Sequence, residues 1–169
     1  MRHLIELRDS DIFPGTHNQD PSNFAEKKTA RAVLLNDLGQ VALLNVGRYG
    51  YHKLPGGGIE AGESPRQALE RELLEEMGRR ARIIAEVGIV VEYKNQQERK
   101  QTSYCYLGET LGNVVPTNLI DSELANDYSE LWVNDIDTAI NLVETDQPIG
   151  YSRKFLQARE LAFYMLLSS

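Results

Sequence analysis

Two kinds of periodicity divide the chain into predicted strands and helices. Residues 29–35 alternate between apolar and polar side chains, and residues 40–46 form an apolar run after the turn-forming sequence Asn-Asp-Leu-Gly at 36–39. Two such runs separated by turn residues predict a β-hairpin over residues 29–46. Runs of the same kind predict further strands at residues 1–8, 81–92, 101–109 and 131–133.

The clearest helix prediction covers residues 64–78. Ser64 is a suitable N-cap, Pro65 fits the first helical position, and Gln67 completes a capping box. Gly78 stands where a left-handed C-terminal cap is expected. The apolar positions recur every four residues, at Leu69, Leu73 and Met77. A stripe with this spacing predicts that one face of the helix packs against the core.

The remaining segments complete a layered domain. Residues 9–27 are rich in Asp, Pro, Gly and Asn and predict a long connection after the N-terminal strand. Residues 135–143 and 151–167 predict two more helices, the second of them amphipathic. Strands with helices on both sides favour a mixed sheet in a layered α/β or α+β domain. At roughly 150 residues per domain, residues 1–169 are expected to form a single domain.

Charge and cysteine content narrow the classes of function. The chain has 18 basic and 25 acidic side chains, a net charge of −7, and no basic stripe, so long nucleic acid is not an expected partner. Its single cysteine, Cys105, reads as a packed strand residue that cannot form an internal disulfide, which favours the reducing cytoplasm. The longest apolar run, residues 161–167, is far short of the ~18 residues of a membrane span, so no membrane association is expected.

Three acidic residues on the predicted helix 64–78 are candidates for chemistry. Glu72, Glu75 and Glu76 are three or four positions apart, so their carboxylates project from one side of the helix and repel one another. A solvated acidic face is the ordinary interpretation of such a pattern. Here the helix follows the glycines at 56–58, where the backbone can approach a ligand closely. Because carboxylate-rich sites suit Mg²⁺ and its phosphate ligands, the residues predict a divalent-metal site for a phosphorylated molecule.

The spacing of these residues resembles the Nudix box. The family pattern is Gly, five residues, Glu, seven residues, Arg-Glu, an aliphatic residue, any residue, Glu-Glu, any residue, Gly, and an aliphatic residue. Gly57, Glu63 and residues 71–78 match it. The last aliphatic place is occupied by Arg79, and we expect this departure to affect packing after the helix, where Ala81 or Ile83 can take that role.

The resemblance implies a fold, an activity and a set of site residues. Nudix proteins share an α/β/α sandwich built on a mixed β-sheet, and most hydrolyse a pyrophosphate linkage in a nucleoside diphosphate derivative with Mg²⁺ or Mn²⁺. By position, the implied metal ligands are Glu72, Glu75, Glu76 and the Gly56 carbonyl. Arg71 and Glu63 are implied to pair and to hold the loop against the helix, which suits the bidentate geometry of a guanidinium.

Two parts of the site stay open at this point. The general base is not fixed within the family: Glu76 and Glu72 are candidates, and so are the acids upstream of Trp132, namely Glu123, Asp127 and Glu130. Arg48 and Gly57, at the glycine-rich loop, are expected to contact substrate. Arg159, on the C-terminal helix, is expected to belong to a solvated polar face.

The leading functional hypothesis is a metal-dependent pyrophosphohydrolase in which water attacks phosphorus. A nucleoside triphosphate, as in MutT-like members, is favoured as substrate by elimination, because the family markers of ADP-ribose pyrophosphatases and dinucleoside polyphosphate hydrolases are missing around residues 95–97. An ADP-ribose or nucleotide-sugar pyrophosphatase is one alternative. A non-catalytic Nudix-fold regulator that binds a nucleotide is another, and a role on a short capped RNA end is a further enzymatic one. Dimers are frequent in the family, so a homodimer is among the expectations.

Overall fold

The computed structural model describes Met1 and residues 4–168, which contain eight strands, five α-helices and three short 3-10 helices. The strands are β1 (Leu4–Arg8), β2 (Ala25–Leu35), β3 (Val41–Val46), β4 (Tyr51–Lys53), β5 (Gly56–Gly58), β6 (Arg80–Lys94), β7 (Arg99–Leu111) and β8 (Tyr128–Val133). The helices are α1 (Asp9–Ile12), α2 (Pro65–Met77), α3 (Asp121–Ala125), α4 (Ile136–Thr145) and α5 (Tyr151–Leu167).

All eight strands belong to one mixed sheet. Its order is β1-β6-β7-β2-β3-β4, with β5 paired to β2 and β8 paired to β3. The pairs β1–β6 and β2–β7 are parallel and the others are antiparallel. One edge of β2 is divided, because β3 meets it only at Leu35 while β5 pairs with residues 29–31. This division brings the glycine strand β5 against the middle of the sheet.

Side chains along β2 point alternately to the two faces of the sheet, and each face packs into its own apolar layer. Ala30, Ala32 and Leu34 pack with α2 on one face of the sheet. Val33 points to the other face and packs with side chains of α4 and α5, among them Val143. Helices therefore cover both faces, and the predicted α/β/α sandwich with a mixed sheet is confirmed.

Helix α2 begins and ends as its sequence predicts. The Ser64 hydroxyl accepts a hydrogen bond from the Gln67 amide at 3.2 Å, and the Gln67 side chain accepts one from the Ser64 amide at 2.9 Å. Gly78 adopts a left-handed conformation with φ of 61°, and a Cβ there would overlap the Val115 carbonyl oxygen. The predicted apolar stripe of Leu69, Leu73 and Met77 is buried.

Several elements extend beyond their predicted bounds. Strand β2 begins at Ala25 rather than residue 29, because its exposed first residues pair through the backbone with β7 and carry no apolar alternation. Helix α1 lies within the predicted connection 9–27, and α3 was not predicted. Part of the predicted first strand, residues 2 and 3, lies outside the described residues. Within the described residues, no helix combines the length and hydrophobicity needed to span a bilayer.

Cys105 is expected to be chemically silent in the folded protein. It is fully buried on β7, and burial raises the pKa of its thiol far above the usual range. We expect no reaction with the thiol reagent DTNB on the minute timescale in the native state, and one thiol per chain after denaturation in urea. Rapid labelling of the native protein would contradict this placement.

Candidate active site

At the candidate site, the glycine strand β5 packs closely against helix α2. Gly57 pairs with Ala30 of β2, and the Glu72 carboxylate lies so close that a Cβ on Gly57 would overlap it. Only glycine permits this approach without displacing the carboxylate. The amide of Gly56 donates to Glu76 Oε2 at 2.8 Å, so the strand is also tied to the buried end of the helix.

Arg71 joins the loop to the acidic side of α2. Its Nε and Nη2 donate to the two carboxylate oxygens of Glu63 at 2.8 and 2.9 Å, and Nη2 also donates to the Gly58 carbonyl at 2.8 Å. Its Nη1 donates to Glu72 Oε1 at 2.9 Å and to Glu75 Oε2 at 3.1 Å. The hydrogen bonds from Arg71 lower the pKa of the Glu63 carboxyl to about 2. One guanidinium therefore fixes the positions of three carboxylates.

Three carboxylates converge beside this fork. Ligand atoms of Glu72, Glu76 and Glu123 lie within 4.8 Å of one another, and we call these residues the carboxylate cluster. Glu123 comes from α3, where its other role is to accept the Ile120 amide at 2.9 Å. Glu75 is outside the cluster, with its carboxylate turned to Arg71. The cluster thus differs in one member from the three glutamates that the sequence singles out.

The carboxylate cluster carries more negative charge than its neighbours balance. Burial raises the pKa of Glu72, and the nearby Glu76 carboxylate raises it further. Burial also raises the pKa of Glu123. Two cations lie close to the cluster: Arg71 donates to Glu72 Oε1 at 2.9 Å, and Lys53 Nζ lies 3.2 Å from Glu76 Oε1. Because oxygen-only sites of this kind are those that hard divalent cations prefer, the donor set fits Mg²⁺ or Mn²⁺.

The family model of the NUDIX domain matches residues 26–147, which include the glycine strand, α2 and the carboxylate cluster. The chain belongs to the Nudix family. The family predicted from the box is therefore confirmed. Residues 1–25 and the whole of α5 lie outside the matched segment.

Relatives that match part of this chain are named as hydrolases. A putative 8-oxo-dGTP diphosphatase from Bacillus subtilis is 36% identical over 70 residues, which are 41% of this chain and 47% of that protein. An RNA pyrophosphohydrolase from Pectobacterium atrosepticum is 45% identical over 67 residues, or 37% of each chain. The matches thus span less than half the length of these relatives. These names agree with the predicted class of hydrolases that act on phosphorus-containing anhydrides.

A solved structure supports the fold independently of sequence. The NUDIX hydrolase from Nitrosomonas europaea superposes with a TM-score of 0.59 at 20% identity, covering 80% of this chain and 89% of that one. At this level of identity the likeness concerns the fold alone. The overall fold of this chain is therefore similar to that of the solved NUDIX hydrolase.

The departure from the Nudix box at Arg79 has a structural role. Its guanidinium donates to both Glu130 oxygens, at 2.7 and 3.4 Å, and lies 5.1 Å from the centre of the Trp132 ring. Trp132 Nε1 also donates to Glu130. Ala81 and Ile83 pack against the apolar layer beneath α2, as expected for residues that replace the missing aliphatic one.

The structure shows where the other residues predicted for the site of this Nudix domain lie. Glu130 is engaged by Arg79, and Asp127 is exposed beside Gly47, so neither joins the carboxylate cluster as Glu123 does. Arg48 is also exposed and donates to the Ala125 carbonyl at 3.3 Å. The Gly56 carbonyl, implied as a metal ligand, accepts a hydrogen bond from Arg31 Nη1, and its role as a ligand stays a prediction.

A second feature of this Nudix domain is a cavity of about 240 Å³ beside the carboxylate cluster. Six basic side chains line it, and we call it the cationic cavity: Lys27, Arg31, Lys53, Lys94, Arg99 and Arg159. Arg159 was expected on a solvated face, and that expectation is wrong, because it is only 2% exposed. No local sequence pattern indicates the cavity, since its basic residues come from four strands and α5 and meet only through the sheet order.

Proposed function

We propose that this Nudix protein is a metal-dependent pyrophosphohydrolase that cleaves a pyrophosphate bond in a nucleoside di- or triphosphate derivative. The carboxylate cluster carries the proposal, because three acidic side chains gathered next to a close-packed glycine strand suit a divalent cation bound to phosphate. The proposal takes residues 1–169 as one catalytic domain. It also includes a cytoplasmic location, which suits a chain with a single, buried cysteine.

Glutamates of α2 would hold the metal. Glu72 and Glu76 offer oxygens that converge with that of Glu123 from α3, and Glu75 lies one helical turn from Glu72 at the edge of the group. A bound Mg²⁺ or Mn²⁺ would supply charge neutralisation of the phosphates and acidification of water. The Gly56 carbonyl has a second lone pair, so it can join the ligands while Arg31 donates to it.

The protein's own groups would align the substrate and accept a proton. The ion pair between Arg71 and Glu63 holds the loop in place against α2, so these two act as positioning residues. Glu123 is our choice of general base among the open candidates. Its carboxylate lies in the cluster, while Glu130 is paired with Arg79 and Asp127 points elsewhere. Proton transfer of this kind contributes about 10²–10⁴-fold to a rate.

The names of the relatives favour one further candidate substrate. Three of the four matched relatives carry the name RNA pyrophosphohydrolase. A short RNA with a 5′-triphosphate presents the same reacting group as a nucleoside triphosphate. It therefore belongs in the substrate panel, beside ADP-ribose, a nucleotide sugar and the canonical and oxidised nucleoside triphosphates.

The panel tests turnover directly. With 5 mM Mg²⁺ as a chosen assay condition (roughly the millimolar affinity range of weak hard-cation sites), we expect release of phosphate or pyrophosphate from at least one nucleotide. We expect EDTA to abolish that release, and added Mn²⁺ to restore it. Product formation is followed by chromatography. Binding of nucleotides without any release would favour the non-catalytic regulator, and turnover that is insensitive to EDTA would contradict the metal site.

A further inference from the structure

The cationic cavity has more positive charge than its acidic neighbours offset. Lys53 is paired with Glu76 at 3.2 Å and Lys94 with Glu92 at 2.9 Å. Arg159 is held by Glu160 at 2.5 Å. The other three basic residues, Lys27, Arg31 and Arg99, have no carboxylate within ion-pair distance among the described residues.

Of these three residues Arg31 is the buried one, whereas Lys27 is exposed and Arg99 is half-buried. Arg31 is only 8% exposed, it hydrogen-bonds only to backbone carbonyls through Nη1, and its Nε has no partner among the described residues. A buried, charged donor without a partner costs free energy. Such a group in a cavity wall indicates a ligand that accepts hydrogen bonds and carries negative charge.

The basic residues of the cavity repel one another, and this repulsion disfavours the protonated form of its lysines. Desolvation lowers the pKa of Lys27, and the positive charges of Arg99 and Arg31 lower it further. Burial lowers the pKa of Lys94 as well, against the pull of Glu92. An anion in the cavity would relieve this repulsion. Ser152, in the first turn of α5, also lines the cavity. The positive N-terminal end of that helix dipole therefore also favours an anion in the cavity.

The cavity is connected to the carboxylate cluster through two residues. Lys53 lines the cavity and reaches Glu76, and Arg31 lines it and holds the Gly56 carbonyl. A molecule bound at the cluster can therefore extend into the cavity. At about 240 Å³ the space is smaller than the ~300–1,000 Å³ that encloses a drug-sized ligand, so it suits a phosphate-bearing group better than a whole nucleoside.

We propose that the cationic cavity binds a phosphate group of the substrate that is additional to the pyrophosphate being cleaved. The preferred substrates are then molecules with at least three phosphate groups. ADP-ribose and nucleotide sugars, which have only the two phosphates of the scissile linkage, are poor substrates. This inference rests on the proposed function for its substrate class, while the anion site itself does not depend on turnover.

Binding of inorganic tripolyphosphate in EDTA tests the anion site without metal or catalysis. The informative variant is Lys27→Gln/Arg99→Gln. The matched control is Lys28→Gln/Lys100→Gln, which removes the same charge from the adjacent positions of the same two strands, outside the cavity. Because both substituted side chains are charged donors that can hydrogen-bond the anion, we expect calorimetry to give at least about tenfold weaker binding for the cavity pair and less than about twofold for the control. Thermal melting of both variants checks that they are folded.

Each outcome has a distinct meaning. Metal-free binding that only the cavity pair weakens supports the anion site. No binding by the unsubstituted protein, or equal weakening in both pairs, overturns it. In a parallel assay with Mg²⁺, a preference for triphosphates over ADP-ribose that Lys27→Gln/Arg99→Gln abolishes supports the substrate class, and equal turnover of both classes refutes it. Polyphosphate binding without hydrolysis of any compound would retain the site and reject the proposed function.

Discussion

The substitution Glu76→Gln is expected to lower kcat/KM by about 10²–10³-fold. Glu76 is only 5% exposed and contributes to the carboxylate cluster. Gln has nearly the same shape and can still accept the 2.8 Å hydrogen bond from the Gly56 amide. It has lost the negative charge that a divalent cation requires, and Lys53 is left without its carboxylate partner. Turnover should therefore fall much more than stability.

Steady-state kinetics over a range of Mg²⁺ concentrations measures this effect. Glu75→Gln is a companion variant with an expected large loss, and Glu70→Gln is the control, because it makes the same change at an exposed position of the same helix. Calorimetric titration with Mn²⁺ should show weakened binding in Glu76→Gln and unchanged binding in Glu70→Gln. Retention of most activity by both Glu75→Gln and Glu76→Gln at saturating Mg²⁺ would refute the metal site.

The sequence predicts well those features of the structure that depend on residues close together in the chain. Helix α2 carries its own N-cap, capping box, apolar stripe and left-handed C-cap, all within fifteen residues between Ser64 and Gly78. The spacing of Glu63 and Arg71 likewise lies within one loop and one helix. Such features depend on neighbours a few positions away, so one sequence is enough to find them.

Contacts between distant segments were not predictable in the same way. Glu123 joins the carboxylate cluster from α3, about fifty positions beyond α2, and no local pattern distinguishes it from Asp127 or Glu130. The cationic cavity depends on the parallel pairing of β2 with β7. Arg159 occupies a polar position of an amphipathic helix, and only tertiary packing buries it beside Glu160.

The fork made by Arg71 leads to the second large effect. Arg71→Gln removes the cation that bonds Glu63, Glu72 and Glu75. These carboxylates then repel one another and the loop is released from α2. We expect a loss of about 2 kcal/mol in the free energy of unfolding, reduced from the fully buried case because Arg71 is 24% exposed. For a chain of this size that corresponds to a fall in Tm of about 4–8 °C.

Activity should fall further than stability in Arg71→Gln, because the displaced Glu72 carboxylate no longer lies against Gly57. Arg82→Gln is the control, since it removes an exposed ion pair with Glu109. In a double-mutant cycle, Arg71→Gln and Glu63→Gln should couple by about 1–3 kcal/mol in urea unfolding. Arg71→Lys keeps the charge without the fork, so it should recover part of the stability and little of kcat. Additive effects of the two Gln substitutions, with full activity in Arg71→Lys, would mean that the bidentate geometry has no part in organising the site.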